Sequence, residues 1–309
     1  MICAYCGQEC RPTKEHIISS GILDLFPECF MTIDDMRKKV YPADPMINDV
    51  CADCNNKKIS YIDSYAKEFV KRYFMGKYGA DEQLDVEYDY SIIQKMLLKY
   101  AYNDLRMRRE NTDFFNAKIK SYLMNFHNKA PLSNVTVMAG LAVNTSPAPD
   151  FMFGNLKIQW SNTPMFLANS IIENIDYETG QMKIREPFER EKLPGLLLSY
   201  IFRFNSGQFI LMCWDEHCAD VRASQAIVKF QYPYTVLEPY EHTATLSRCT
   251  SESTYHHFQL IDVTWGQSLL DEISLMRRMA NPKQDDYFNE MTSAWEIEEK
   301  KLAEQNKRD

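Results

Sequence analysis

Two cysteine pairs, Cys3-x-x-Cys6 and Cys51-x-x-Cys54, constrain this 309-residue chain more than any other feature. Each pair puts two thiols on one tight turn, where both can point at a single ion. Together they supply the four sulfurs of a closed tetrahedral zinc site. Simple ribbons and fingers separate their pairs by about 12–20 residues. Here 44 residues intervene, so the staple encloses a further structural unit. In a unit this small, a structural zinc supplies much of the folding free energy. The other five of the nine cysteines (Cys10, Cys29, Cys213, Cys218 and Cys249) have no partner at ligand spacing and read as small apolar residues. The count is odd, and the first residues show no basic stretch leading into an apolar run. Both features suit a reducing compartment, and the expectation is a cytoplasmic protein.

The formal net charge is −8, which argues against bulk attraction to nucleic acid but says nothing about local chemistry. The charge is uneven. Residues 1–130 carry nineteen basic and nineteen acidic side chains, and residues 131–309 carry sixteen and twenty-four. A groove lined by Lys14, Lys57, Lys58 and Arg72 can therefore hold a phosphate backbone locally. The longest apolar runs, near 193–202 and 209–214, are too short to span a bilayer, so no membrane association is expected.

The fold class read from these patterns is α+β. A zinc-stapled N-terminal unit, residues 1–62, is followed by a helical region, 63–130. From Ser60, Ile62, Tyr65, Phe69 and Tyr73 share one helical face, which Gly76 and Gly79 end. A second helix runs through Ile92, Ile93, Met96, Leu97, Tyr100, Ala101 and Leu105, and a third through Phe114, Phe115, Ile119, Tyr122, Leu123 and Phe126. Their aromatic stripes read as helix–helix core. Residues 131–265 change to a strand period and form a mostly antiparallel β domain, suited to targeting, sensing or oligomerisation. Strands are expected at 135–143, 156–160, 171–184, 200–204, 209–214, 226–230 and 255–265, with Asn205-Ser206-Gly207 as a hairpin turn. A helical C-terminal tail covers 266–309.

Inside the staple stands Thr13-Lys14-Glu15-His16-Ile17-Ile18, and Cys54 is followed at once by Asn55-Asn56-Lys57-Lys58. Cys-x-x-Cys, then Glu-His-Ile-Ile, then Cys-x-x-Cys-Asn-Asn-x-Lys resembles the zinc-bearing branch of the HNH (His-metal finger, ββα-metal) endonucleases. Asn48 stands at the family's middle Asn. The resemblance covers residues 3 to about 63. It implies a ββα-metal finger that hydrolyses phosphodiester bonds in DNA, with Cys3, Cys6, Cys51 and Cys54 holding structural zinc. His16 would be the general base, since a neutral imidazole titrates near working pH. Glu15 and the side-chain carbonyl of Asn55 would ligate one catalytic magnesium or manganese, hard cations that prefer oxygen. Asn48 would orient His16 or pin its loop, and Lys14 and Lys58 would contact phosphate. The commoner family residue at position 15 is Asp, so the Glu is a departure. In a regular strand Glu15 and His16 point to opposite faces, and adjacent roles require a bend there. Family members often serve in restriction or anti-phage defence. The implied partners are DNA and a protein partner or second copy bound through the β-rich region.

A different class is also open: a non-catalytic zinc knuckle that docks nucleic acid or protein. Of the other histidines, adjacent His256 and His257 read as surface residues. His217, beside Asp215 and Glu216, reads as part of a solvated turn.

Overall fold

The computed structural model describes residues 1–27, 29, 31–34, 39–42, 45–79, 81–142, 157–162, 171–175, 182–185, 193–231 and 234–249. The expected strand at 255–265, the pair His256 and His257, and the C-terminal tail lie outside the described residues.

The N-terminal unit is a hairpin of β1 (Pro12–His16) with β4 (Met46–Cys51), paired antiparallel. The short helix α1 (Ser20–Leu23) and a separate antiparallel pair, β2 (Met31–Asp34) with β3 (Lys39–Pro42), lie between them in sequence. Ser19 caps α1 by accepting the Gly21 N–H at 3.2 Å. After β4 the chain makes one π-helical turn, Cys54–Lys58, and enters α2 (Ser60–Tyr73). Helix α2 buries Ile62, Ala66, Phe69, Val70 and Tyr73 on one face, as its sequence period requires.

Strand β5 (Leu84–Glu87) leads to α3 (Tyr90–Arg108), capped by Asp89 through the Ile92 N–H and closed by Arg109 at φ 59°. The sequence pattern predicts an apolar stripe on this helix. The structure buries all of residues 90–105, polar ones included. The reason is position, because α3 has the N-terminal unit, α2, α4 (Ala117–Met124) and the main sheet around it. Asn116 caps α4, and Phe115 stacks on Tyr102 with ring centroids 4.7 Å apart.

The main sheet is antiparallel, with strand order β12 (Thr235–Val236), β6 (Val135–Leu141), β11 (Gly207–Trp214), β10 (Leu196–Phe204), β7 (Ile158–Asn162). Period-2 alternation is clear on β11. Phe209, Leu211 and Cys213 of β11 face the helices, while Ile210, Met212 and Trp214 face the opposite side. Two smaller antiparallel pairs, β8 (Ile171–Ile175) with β9 (Met182–Arg185) and β13 (Thr243–Leu246) with β5, complete the described strands.

The residues expected as a strand at 226–230 belong instead to α5 (Val221–Gln231). Val221, Ser224 and Val228 recur at helical spacing, with Ser224 and Val228 fully buried, and this longer period wins over the short β-like run. The α5 layer covers the sheet face that carries Trp214.

The β10–β11 turn is tight, with Asn205 at φ 53°. Its tip docks on the end of α2: Asn205 Nδ2 and Ser206 Oγ donate to the Phe74 carbonyl at 2.6 and 3.1 Å. Gly207 is required here, because a Cβ would fall 2.5 Å from the Phe74 ring. One continuous core runs from Cys3, Tyr5 and Val50 through α2 and α3 to Phe202 and Phe209. Among the described residues no helix is long and apolar enough to cross a membrane.

Candidate metal centre

The first cysteine pair sits on a small loop closed by the Ile2–Glu9 bridge, with Cys3 N donating to Gln8 O and Gly7 N to Cys3 O, each at 2.9 Å. Gly7, at φ 71°, supplies the left-handed residue that turns the chain directly after Cys6. The second pair spans the end of β4 and the start of the π-helical turn. Ala4 N donates to Asp49 O at 2.9 Å and brings the two together.

The Sγ atoms of Cys3, Cys6, Cys51 and Cys54 all lie within 4.8 Å of one another. Cys6 and Cys51 are 3.8 Å apart, and zinc–sulfur bonds of about 2.3 Å give tetrahedral edges of about 3.8 Å. The backbone N–H groups of Cys51 and Cys54 point at Cys3 Sγ and Cys51 Sγ, each at 3.4 Å. Burial disfavours the Cys3 thiolate, but N–H groups of Cys6, Cys51 and Tyr5 outweigh it and bring its pKa down to about 6. Burial and the adjacent sulfurs push the Cys54 thiol well up. A thiophilic divalent cation offsets half the charge of four such thiolates, and the donor set fits zinc. Of the remaining cysteines, Cys213 and Cys249 are buried, and Cys10, Cys29 and Cys218 are partly so.

Next to this centre the β1–β4 register slips between Thr13 and Glu15, with Thr13 opposite Val50 and Glu15 opposite Ile47. The extra residue lies on β4, where Asn48 and Asp49 face Lys14, and such a bulge re-aims side chains. Glu15 and His16 themselves stay in regular register, opposite Ile47 and Met46. Asn55 fastens the π-helical turn to this point. Its Nδ2 donates to Thr13 Oγ1 at 3.1 Å and to the Lys14 carbonyl at 2.9 Å. The first turn after the second knuckle is thereby held against the strand that ends in His16. His16 is half-buried, and Asn48 and Lys14 are exposed.

Glu15 is placed differently from what a shared metal site with Asn55 requires. It is 3% exposed, and its Oε1 lies 2.7 Å from Lys99 Nζ and accepts Asn103 Nδ2 at 3.2 Å. Lys99 also contacts Asp63 at 2.6 Å. The carboxylate is therefore turned inward into a buried ion cluster. Lys58 pairs with Asp53 at 2.8 Å and Arg72 with Glu87 at 2.9 Å, all four exposed, and such pairs contribute little to stability. Asp53 is held below the usual carboxylate range, chiefly by its hydrogen bond with Lys58. His217 is exposed in a turn in which its N–H donates to Asp215.

Sequence reasoning missed the polar ladder of α3. Lys95 donates to the carbonyls of Asn125 and Asn128 at 2.8 and 2.7 Å. Lys99 holds Glu15 and Asp63. Asn103 holds Glu15, the His16 carbonyl and Tyr5. Arg106 pairs with Asp49 and lies over the rings of Tyr5 and Tyr102. On the sheet side, buried Asp104 accepts from Arg108, Trp160 and Tyr200. The available signal was the spacing 95, 99, 103, 106, which puts four polar residues along one side of an otherwise apolar helix.

These features define a mixed α+β protein with antiparallel sheets and an N-terminal four-cysteine cluster able to hold a metal such as zinc. No family model, no curated protein and no solved structure matches the chain.

Proposed function

We propose that the chain is a metal-dependent endonuclease of the HNH type, cutting DNA with His16 as general base. The observation that carries this reading is the Asn55 tie to Thr13 and Lys14, which brings the residue after the second cysteine pair beside the strand that ends in His16. In this reading His16 accepts the proton of the attacking water. The zinc bound by the four cysteines holds the hairpin and the turn together. A catalytic magnesium or manganese, when bound, supplies Lewis-acid stabilisation at the scissile phosphate. Asn55 Oδ1 would ligate it, with phosphate oxygens and water completing the shell. Glu15, turned toward Lys99, supports the strand that carries His16. Asn48 would orient His16 or pin its loop, and Lys14 and Lys58 would contact phosphate. Residues 131–265 would serve targeting, sensing or self-association, and restriction or anti-phage defence is the biological setting the resemblance suggests.

The inward carboxylate of Glu15 favours a second reading, a zinc-knuckle module that binds nucleic acid or protein without cutting it. Plasmid nicking by the purified zinc-loaded chain in magnesium or manganese separates the two. The nuclease reading expects nicking that His16→Ala lowers by about two to four orders of magnitude with zinc retained. DNA binding with no cleavage in either metal supports the second reading.

A further inference from the structure

Asn103 lies on α3, forty residues beyond the zinc-stapled unit in sequence, yet the hydrogen bonds of its amide reach into that unit. Its Nδ2 donates to the His16 carbonyl at 2.8 Å and to Glu15 Oε1 at 3.2 Å. Its Oδ1 accepts the Tyr5 hydroxyl at 2.9 Å and an N–H of Arg106. A carboxamide has two donor hydrogens and two acceptor lone pairs, and all four are engaged. Tyr5 stands between the zinc-ligating candidates Cys3 and Cys6, so one fully buried side chain joins the first knuckle to the main chain of His16. Beyond His16 the strand pairing ends, and Ile17 N reaches Pro45 O at 3.2 Å.

We propose that Asn103 is a positioning residue for His16. From outside the stapled unit it sets the backbone of the base against the zinc knuckle, and the working site therefore includes α3 as well as residues 1–62. The kinetic part of this inference rests on the nuclease reading, and the geometric part does not. Displacing a reacting group by about 1 Å costs on the order of a hundredfold in rate. The loss falls on turnover, because Asn103 is buried away from any substrate.

The test uses the full-length, zinc-loaded chain with Asn103→Ala, Tyr5→Phe and Tyr200→Phe. Tyr200 donates to Asp104 at 2.8 Å on the sheet side of the same helix, so its variant is a stability control away from His16. Asn103→Ala is expected to lower kcat by about ten- to a hundredfold, leave KM and zinc content unchanged, and speed amide hydrogen exchange at residues 14–18. Tyr5→Phe is expected to change the same quantities in the same direction by less. Tyr200→Phe is expected to lower the melting temperature while leaving kcat and exchange at 14–18 as in the wild type. Wild-type exchange at residues 14–18 in both Asn103→Ala and Tyr5→Phe overturns the proposal, as does wild-type kcat in both. If Asn103→Ala does not fold, Tyr5→Phe decides alone. If the wild-type chain cuts no nucleic acid, the nuclease reading fails and hydrogen exchange judges the positioning.

Discussion

The ammonium of Lys99 lies 2.7 Å from the carboxylate of Glu15, joining the central helix to the strand that ends in His16 across a contact almost closed to solvent. Asp63 of α2 shares the same ammonium, so one cation ties three elements. A buried pair broken on one side leaves an uncompensated charge, and the penalty is about 3–5 kcal/mol. Lys99→Met should therefore lower unfolding stability by about that amount in urea titration. A loss below about 1 kcal/mol would show that the cluster is open to water.

Glu15→Gln tests the same contact from the other side. We expect a smaller loss of stability, since Asp63 still pairs with Lys99, and, under the nuclease reading, an unchanged magnesium dependence of cleavage. A shift of the metal midpoint by tenfold or more, without loss of stability, would return Glu15 to the metal.

The four-cysteine cluster gives a stoichiometric prediction. The purified chain should hold about one zinc, and Cys51→Ser should lose it together with protease resistance in the N-terminal unit, since metal binding and folding are coupled in such sites. Cys10→Ser, outside the four-sulfur cluster, should keep its zinc. Full zinc content in Cys51→Ser, measured by release with a chromogenic chelator, would remove the structural role.

Lys95 sets a pH dependence. Burial, reinforced by Lys129, brings its pKa down to about 8, against about 10.4 in the unfolded chain. Between these values the unfolded state binds more protons, so the contribution of this group to stability rises with pH. Deprotonation leaves two N–H donors, enough for both carbonyls it serves. The stability difference between wild type and Lys95→Met, followed by urea unfolding from pH 7 to 10, should move in favour of the wild type above about pH 8. A difference independent of pH would contradict the assignment.

Gly207→Ala should destabilise the hairpin tip. The added carbon meets the Phe74 ring at 2.5 Å, and overpacking of this kind costs about 1–3 kcal/mol. A melting temperature equal to the wild type would mean that Phe74 can turn aside.

The parts of the fold readable in the sequence are those with local signals. The cysteine spacing brings together the four residues that the structure clusters. Apolar period predicts α2, and alternation predicts β10 and β11 around Asn205 and Ser206. The inward direction of Glu15 is not local information: it depends on a bulge in β4 and on Lys99, eighty-four residues away in the chain. Nor is the burial of Lys95, Asn103 and Asp104, whose partners come from distant segments that fold topology alone brings near. Helix α5 departs from the expected strand because the local run of Ile227, Val228 and Phe230 carries a β-like signal that yields to the longer Val221–Ser224–Val228 spacing.

The polar side chains of α3 also bear on how the chain reaches this state. Lys99 and Asn103 need residues 5, 15, 16 and 63, Lys95 needs 125 and 128, and Asp104 needs 160 and 200. An intermediate that buries the helix against some of these segments and not the rest leaves an amine short of its partners, a penalty of several kcal/mol per unpaired ion. Partial docking is thereby disfavoured, which couples the folding of the cysteine-bearing hairpin to that of the helix and sheet.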